Sequence, residues 1–144
     1  MSFFKKTTYP LKSSISFIVA GLNYRIENLE SIATKNKTYM LDDEKLLKTG
    51  KKQVYKYHFK NLTFSMEYEP SNPHDKNAIK IIVNGVHIGY VPAELCLEIK
   101  HYISTNRIKT ANIFIRGGDY KESKNGNVSY LNEPYRAEIY ISLK

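Results

Sequence analysis

Residues 69–91 read Glu-Pro-Ser-Asn-Pro-His-Asp-Lys-Asn-Ala-Ile-Lys-Ile-Ile-Val-Asn-Gly-Val-His-Ile-Gly-Tyr-Val, and this stretch decides the fold. Its first part predicts a stiff polar loop, because Pro70 and Pro73 fix φ on either side of two polar residues. The side chains of Asn72 and Asp75 are short enough to fold back and accept hydrogen bonds from nearby backbone amides. The loop should therefore present polar groups in a fixed conformation.

The residues after this loop predict a β-hairpin. Two apolar runs, 78–83 and 86–91, are separated by Asn84 and Gly85. Asn-Gly favours a two-residue type I′ turn, because both central residues of that turn need a positive φ. The polar loop is therefore anchored on a sheet.

Other segments alternate apolar and polar residues with a period of two, which is typical of half-buried strands. The alternation is clearest at 15–19, 62–68 and 137–143, and further strands are predicted at 54–59, 111–116 and 127–131. Residues 121–127 are polar and predict a mobile hairpin loop between a strand ending near Tyr120 and the next strand. About six or seven short strands joined by turns predict a mainly β (α+β) chain forming a small barrel or sandwich.

One clear helix interrupts the strands. Pro92 suits its first turn, and a buried stripe is predicted at Leu95, Ile99, Tyr102 and Ile103. Two weaker helical patterns occupy 27–34 and 42–48, and an acidic cluster at 42–44 suits the start of the second. The chain therefore combines a β framework with a few short helices.

Length and composition exclude several classes of protein. A chain of 144 residues is one domain by length, so we expect a single unit over 1–144. Cys96 is the only cysteine, which excludes an internal disulfide and a cysteine-rich zinc site and favours a buried thiol. No apolar run is long enough for a transmembrane helix, and Met1 to Lys6 lack the apolar core of a signal peptide. These features predict a cytoplasmic location without a membrane partner.

The positive charge is concentrated in the first part of the chain. The formal net charge is +8, and residues 1–61 hold 12 Lys and Arg against 5 Asp and Glu, whereas residues 62–144 hold 10 against 9. A regional excess of cations suits a phosphate backbone, which binds through the release of counterions. Lysines also keep small proteins soluble, so the charge supports a nucleic-acid partner without establishing one.

The motifs together resemble the HIRAN domain. The resemblance lies in Glu-Pro at 69–70, Asn-Pro at 72–73, Asp-Lys-Asn-Ala-Ile at 75–79 and Ile-Gly-Tyr-Val-Pro at 88–92. Upstream, Phe17-Ile-Val-Ala-Gly21-Leu-Asn-Tyr24 resembles the family's opening strand and its Gly-x-x-Tyr turn. The resemblance implies an OB-like small antiparallel β-barrel with one or two helices, here with a basic, partly helical insertion at about 27–60. The resemblance also implies a stand-alone HIRAN protein of the kind found in bacteria, phages and mobile elements.

The resemblance implies a binding module that captures the 3′ end of single-stranded DNA. Its pocket would combine the Gly-x-x-Tyr turn with the Asn-Pro-x-Asp loop, while lysines of the insertion follow the DNA backbone. The predicted nucleic-acid-binding residues are Asn23, Tyr24, Arg25, Lys48, Lys51, Lys52, Asn72, His74 and Asp75.

Three of these residues match the identities expected for the pocket, namely Tyr24, Asn72 and Asp75. The family pattern has a basic residue at Asn23, an aromatic residue at Arg25 and a tyrosine at His74, and Ala93 follows where a basic residue is common. Arg25 still provides a phosphate donor and His74 a stacking ring, so the two roles are exchanged. Specificity for a 3′ hydroxyl remains open at this point.

Two alternatives to a DNA-binding module are a nuclease and a protein-binding protein. The spacing of Asp75, Glu98 and Lys100 imitates a metal-dependent nuclease, but that motif belongs on a strand and the last two residues fall in the predicted helix. The chain also lacks a glycine-rich phosphate loop and zinc-ligand spacing, so we predict no enzymatic activity, no metal and no cofactor.

The second alternative is an interaction protein of a phage or mobile element. The basic insertion would then bind a host replication, repair or nuclease protein instead of DNA. A groove that joins the lysines of the insertion to Tyr24 and Asn72 would favour nucleic acid, whereas lysines on another face would favour a protein partner.

Overall fold

The computed structural model describes Tyr9 and residues 11–144, so the N-terminal stretch Met1 to Lys6 lies outside the described residues. The strands are β1 Ser14–Ile18, β2 Thr34–Lys35, β3 Gln53–Tyr55, β4 Tyr57–His58, β5 Phe64–Tyr68, β6 Ile79–Val83, β7 Val86–Tyr90, β8 Ile108–Lys124 and β9 Asn127–Leu143. The α-helices are α1 Ile26–Ser31, α2 Asp43–Lys48 and α3 Cys96–Ser104, and 3-10 turns lie at Leu22–Tyr24 and Ala93–Leu95.

The strands form antiparallel sheets that are joined on one side. One sheet has the order β1-β9-β8-β3, a second has the order β5-β6-β7, and β2 pairs with β4. A bridge between Ala20 and Tyr90 connects the first two sheets, and a groove between β5 and β8 leaves the other side open. The prediction of a mainly β chain with an OB-like antiparallel barrel and few helices is confirmed.

The core lies between the two larger sheets and α3. The inward residues of β6 are fully buried, and they pack in one cluster with inward residues of β1 and β9 and with Ile99 and Tyr102 of α3. Cys96 is also buried, as predicted, and Leu95 and Ile103 are partly buried against the same cluster. In the part of the chain that the structure describes, no helix is long and apolar enough to cross a membrane.

The predicted mobile loop at 121–127 is wrong. β8 continues to Lys124, and only Asn125 and Gly126 form the turn before β9. Residues 121–124 pair with β9 on one side, and β3 pairs with the other side of the same segment, where Gln53 lies opposite Glu122. Hydrogen bonds from two neighbouring strands therefore order a segment whose polar composition predicted a loop.

The strand predicted at 54–59 is also partly wrong. It divides at Lys56 into β3, which pairs with β8, and β4, which pairs with β2. This division, together with the two-residue β2, gives nine strands among the described residues instead of about six or seven. The predicted helices of the insertion correspond to α1 and α2, and Asp42 caps α2 by accepting a hydrogen bond from the backbone amide of Lys45.

Candidate nucleic-acid interface

The polar loop is held together by its own side chains. Oδ1 of Asn72 accepts hydrogen bonds from the backbone amides of His74 at 2.8 Å and Asp75 at 3.0 Å. Oδ1 of Asp75 accepts a hydrogen bond from the backbone amide of Asn77 at 2.8 Å. These bonds confirm the predicted fold-back of the two side chains, and they leave the His74 ring exposed to solvent.

Glu69 connects this loop to the hairpin. Its Oε1 accepts hydrogen bonds from Nδ2 of Asn72 at 2.7 Å and from the hydroxyl of Tyr90 at 2.9 Å, and Nζ of Lys80 lies 3.5 Å from its Oε2. The pKa of Glu69 is held below its usual range. The largest cause is the hydrogen bond from Asn72, and the hydrogen bonds from Tyr90 and Lys80 follow. Glu69 therefore acts as an ionised link between the loop and β7.

The position of Tyr90 depends on a β-bulge. The turn at Asn84 and Gly85 has φ values of 47° and 84°, as the type I′ prediction requires. Across it Ile82 pairs with His87, but Ile81 pairs with Gly89, so β7 contains one extra residue. Tyr90 consequently lies opposite Lys80 on the outer face, instead of opposite the buried Ile79.

The Gly-x-x-Tyr turn docks on the end of β7. Ala20 and Tyr90 exchange two backbone hydrogen bonds, at 2.8 and 2.9 Å. The close approach needs a glycine at position 89, because an added Cβ would lie 2.4 Å from the backbone oxygen of Ala20. This contact brings the Leu22–Tyr24 turn to the side of Tyr90.

Arg25 completes the connection between turn and loop. Its guanidinium lies 5.1 Å from the centre of the Tyr90 ring, and its Nε donates a hydrogen bond to Nδ1 of His87 at 3.3 Å. Nε2 of His87 lies 2.9 Å from the backbone oxygen of Gly89, so the neutral ring donates from Nε2 and accepts at Nδ1. Burial in the first place, and the charge of Arg25 in the second, lower the pKa of His87.

We use the name pocket network for the connected residues Arg25, His87, Tyr90, Glu69 and Asn72. Tyr24 borders this network as the neighbour of Arg25, and its ring is 83% exposed. Its ring makes no hydrogen bond or aromatic contact with the residues that the structure describes. A guanidinium and a rigid polar loop are thus joined through Tyr90 and Glu69, and an exposed ring is the next residue in the chain to that guanidinium. This combination is suited to bases and phosphates.

A family model, described as the HIRAN domain, matches residues 14–144. The chain belongs to the HIRAN domain family. The resemblance carried by the Gly-x-x-Tyr turn and the Asn-Pro-x-Asp loop is thereby confirmed.

Comparison with solved structures gives a match to the NMR structure of the HLTF HIRAN domain in its DNA-bound conformation. The TM-score is 0.37 and the sequence identity 15%, and the match covers 91% of this chain and 74% of that one. A comparison with curated proteins finds no match. The roles of individual residues in this HIRAN domain therefore rest on its own contacts.

Asn23 lies apart from the pocket network of this HIRAN domain. It is exposed and borders a cavity that is also lined by Glu30, Asp119 and Tyr135. Within that cavity the hydroxyl of Tyr135 donates a hydrogen bond to Glu30 at 2.7 Å. Together with Glu133, which also lines this cavity, three carboxylates make this side of the turn less favourable for a phosphate than the side of Arg25.

The predicted lysines form a second, separate zone. Lys48 is in the last turn of α2 and lies 3.5 Å from Glu44, while Lys51 and Lys52 are exposed just before β3. The backbone oxygen of Lys52 accepts a hydrogen bond from the amide of Ser123, near the turn end of the β8–β9 hairpin. Counted along β8, Ser123 lies about 14 Å from Asp119, which lines the cavity that Asn23 borders. We call these three residues the lysine zone.

Four residues in or beside the pocket network were not predicted as site residues. Glu69, His87 and Tyr90 belong to the network, and Lys80 pairs with Glu69. The available signal was Tyr90 in the Ile-Gly-Tyr-Val motif, whose polar ring end suits a partly exposed position. Its contacts with Lys80 and His87 depend on the bulge, which the sequence pattern does not reveal.

Two residues of the nuclease alternative hydrogen-bond to side chains outside that motif. Glu98 and Lys100 lie on α3, as predicted, where Glu98 accepts hydrogen bonds from Nζ of Lys12 at 2.8 Å and from the hydroxyl of Tyr102 at 2.6 Å. Among Tyr9 and residues 11–144, no group of three or more His, Cys, Asp and Glu residues is arranged to hold a metal ion.

Proposed function

We propose that this HIRAN domain is a non-enzymatic module that binds single-stranded DNA and takes its 3′ end as the target. The observation that carries the proposal is the pocket network, which joins Arg25 of the turn to Asn72 of the loop through Tyr90 and Glu69. The turn and the loop are the two segments that the family resemblance assigns to the DNA pocket.

Each exposed group at the pocket network has a role that its chemistry allows. The Tyr24 ring stacks on a base, and the His74 ring offers a second flat surface on the loop. Arg25 donates to a phosphate, and its packing on Tyr90 reduces the rotamer freedom that binding would otherwise cost. Stacking and phosphate contacts of this kind tolerate any base sequence.

Asp75 supports a preference for a terminal hydroxyl. Its Oδ1 is occupied by the Asn77 amide, whereas its Oδ2 has no hydrogen-bond partner among the described residues. A carboxylate oxygen accepts a hydrogen bond from a 3′ hydroxyl and repels a 3′ phosphate. One carboxylate thus serves both as the turn cap and as the end-recognition group.

The test is fluorescence anisotropy with labelled oligonucleotides that end in a 3′ hydroxyl, a 3′ phosphate or a duplex, over a series of salt concentrations. We expect the tightest binding to the 3′ hydroxyl and weaker binding as salt rises. Equal affinity for all three ends would refute end recognition. Absence of binding at low salt would refute the proposed function as a whole.

Two matched pairs of variants locate the site. Tyr24→Ala should weaken binding by about 10-fold, whereas Tyr24→Phe keeps the ring and should bind like the parent. Asp75→Asn keeps a cap acceptor but removes the negative charge, so it should reduce the discrimination between 3′ hydroxyl and 3′ phosphate. If all these variants bind like the parent, the DNA does not contact this pocket.

Among the described residues no hydrogen bond or ion pair joins the lysine zone to the pocket network, which favours a second candidate function for that zone. Lys48, Lys51 and Lys52 either follow the DNA backbone or bind a host replication, repair or nuclease protein. Replacing all three with glutamine should lower the salt dependence of DNA binding, by about 0.7 in log–log slope for each lost phosphate contact. An unchanged slope would show that the lysine zone does not contact DNA phosphates and would leave the protein partner as its candidate function.

A further inference from the structure

The outer face of the four-stranded sheet exposes aromatic side chains. Along β8 and β9 the inward residues are buried, and Phe114 and Tyr140 point outward with 63% and 45% of their surfaces exposed. Their rings form an edge-to-face pair with centres 5.7 Å apart. On the neighbouring β1 the side chain of Ile18 is also exposed on this face. Large apolar side chains grouped in this way mark a contact surface.

Two arginines stand beside these rings. Arg116 of β8 and Arg136 of β9 are register partners, so two like charges lie directly opposite each other. Such a pair destabilises a sheet unless an anion compensates it. Nε of Arg136 donates a hydrogen bond to Glu138 at 2.6 Å, whereas Arg116 makes no hydrogen bond or ion pair with a described residue.

Glu138 does not cancel this positive charge. Its carboxylate accepts hydrogen bonds from the hydroxyl of Tyr140 and from Nε of Arg136. The hydrogen bond from Tyr140, followed by the one from Arg136, lowers the pKa of Glu138. The single negative charge is paired directly with Arg136 and also acts on Arg116, so the face carries two cations against one carboxylate.

The outer face of the four-stranded sheet adjoins the pocket network. A groove runs from β1 and the end of β7 onto the sheet, and its lining includes Ile18, Pro92, Leu95 and Arg136 together with the carboxylates of Glu94 and Glu138. A second groove, lined in part by Phe114, shares Arg136 with the first. Four residues after Ile18 the chain begins the Leu22–Tyr24 turn, so the grooves start beside the proposed 3′-end site.

We propose that the outer sheet face, defined as Ile18, Phe114, Arg116, Arg136 and Tyr140, binds the part of a single DNA strand that leads away from the 3′-end site. Phe114 and Tyr140 stack on bases, and Arg116 and Arg136 bind phosphates. A duplex is excluded, because its bases are stacked on one another and unavailable to the rings. The inference rests on the proposed function and adds a second contact region to it.

The experiment compares 3′-hydroxyl oligonucleotides of about 4 and about 12 nucleotides, lengths within the range that one OB-like domain occupies. Phe114→Ala and Arg116→Gln are both exposed changes and spare the core. Each should weaken binding of the long oligonucleotide by about 10-fold and leave the short one unchanged. Lys109→Gln removes an exposed positive charge from the same strand outside this face and serves as the charge control.

The possible outcomes separate this inference from the proposed function. If the parent binds both oligonucleotides and the two variants match it at both lengths, the outer sheet face is refuted and the 3′-end site stands. If the parent binds neither, both proposals fail. A labelled poly-glutamate peptide tests a protein partner: loss of peptide binding in the variants, with long DNA unaffected, would assign the face to an acidic protein and overturn the inference.

Discussion

The hydroxyl of Tyr90 donates a hydrogen bond to Oε1 of Glu69 at 2.9 Å, and this bond links the hairpin to the polar loop. The guanidinium of Arg25, which follows the Leu22–Tyr24 turn, lies 5.1 Å from the centre of the same ring. Tyr90 is therefore the residue through which two segments distant in sequence are held in one geometry. Its two interactions can be removed separately.

Tyr90→Phe removes the hydrogen bond and keeps the ring beneath Arg25. We expect the free energy of unfolding to fall by about 1 kcal/mol, the usual net value of one such bond. Because Glu69 loses a donor to its ionised form, its pKa should rise toward the ordinary value. Urea unfolding measures the first effect and an NMR titration of the Glu69 carboxyl the second. An unchanged titration of Glu69 would contradict the described link.

Gly89→Ala should separate the turn from β7. The added Cβ would lie 2.4 Å from the backbone oxygen of Ala20 and 2.6 Å from Cγ1 of Val19, so one strand end must move. Overpacking of this kind costs about 1–3 kcal/mol of unfolding free energy. DNA affinity should fall as well, because Arg25 and Tyr90 lose their relative position.

The control for this variant is Gly85→Ala. Its added Cβ meets no atom within 4 Å, but its φ of 84° is unfavourable for alanine and costs about 1–2 kcal/mol. Gly85→Ala should therefore lose stability and keep its DNA affinity. Equal losses of affinity in the two variants would show that the contact between Ala20 and Gly89 has no special role in the site.

The bulge in β7 shows where sequence prediction ends. The Asn84-Gly85 turn was predictable, and counting outward from it places Tyr90 opposite Ile79, on the buried face. The extra residue in β7 instead places Tyr90 opposite Lys80 and beside His87, with ring centres 4.8 Å apart. The bulge accompanies the bridge between Tyr90 and Ala20, a tertiary contact that no local pattern encodes. The polar loop was predictable for the opposite reason, since its hydrogen bonds join residues at most three positions apart.

Lys121 illustrates the same limit at the other end of the hairpin. It is only 6% exposed, and its Nζ donates hydrogen bonds to the backbone oxygens of Tyr39 at 2.6 Å and Leu41 at 3.1 Å. The polar stretch around this lysine predicted a surface loop. The prediction failed because the acceptors that bury the lysine are some 80 residues away in the chain. Composition alone gives no information about partners at that distance.

Lys121→Met should destabilise the chain because two backbone acceptors lose their donor while the aliphatic volume is kept. We expect a loss of about 1–3 kcal/mol in the free energy of unfolding. Lys124→Met, an exposed change on the same strand, should stay within about 0.5 kcal/mol of the parent. Chemical denaturation of the three proteins measures both values. A stability of Lys121→Met equal to that of the control would mean that the two hydrogen bonds contribute nothing net.

Stability should fall at mildly acidic pH through His87. Its pKa is lowered in the folded chain from the ordinary 6.5, so the unfolded chain binds the proton more readily. The contribution of His87 is therefore complete above pH 6.5 and is lost as the pH falls from 6.5 toward the lowered value. Protonation also places a proton on Nδ1, which then repels Arg25 instead of accepting its hydrogen bond.

His87→Gln is the matching variant, because it does not titrate in this range. The pKa of His58 is lowered as well, mainly by burial, so the parent and the variant share a background loss of stability in acid. Thermal unfolding at several pH values between 7.5 and 5 should show a steeper decline for the parent than for His87→Gln. Parallel curves would mean that His87 takes up its proton equally in the folded and unfolded chain, and that Arg25 does not depend on its neutral form.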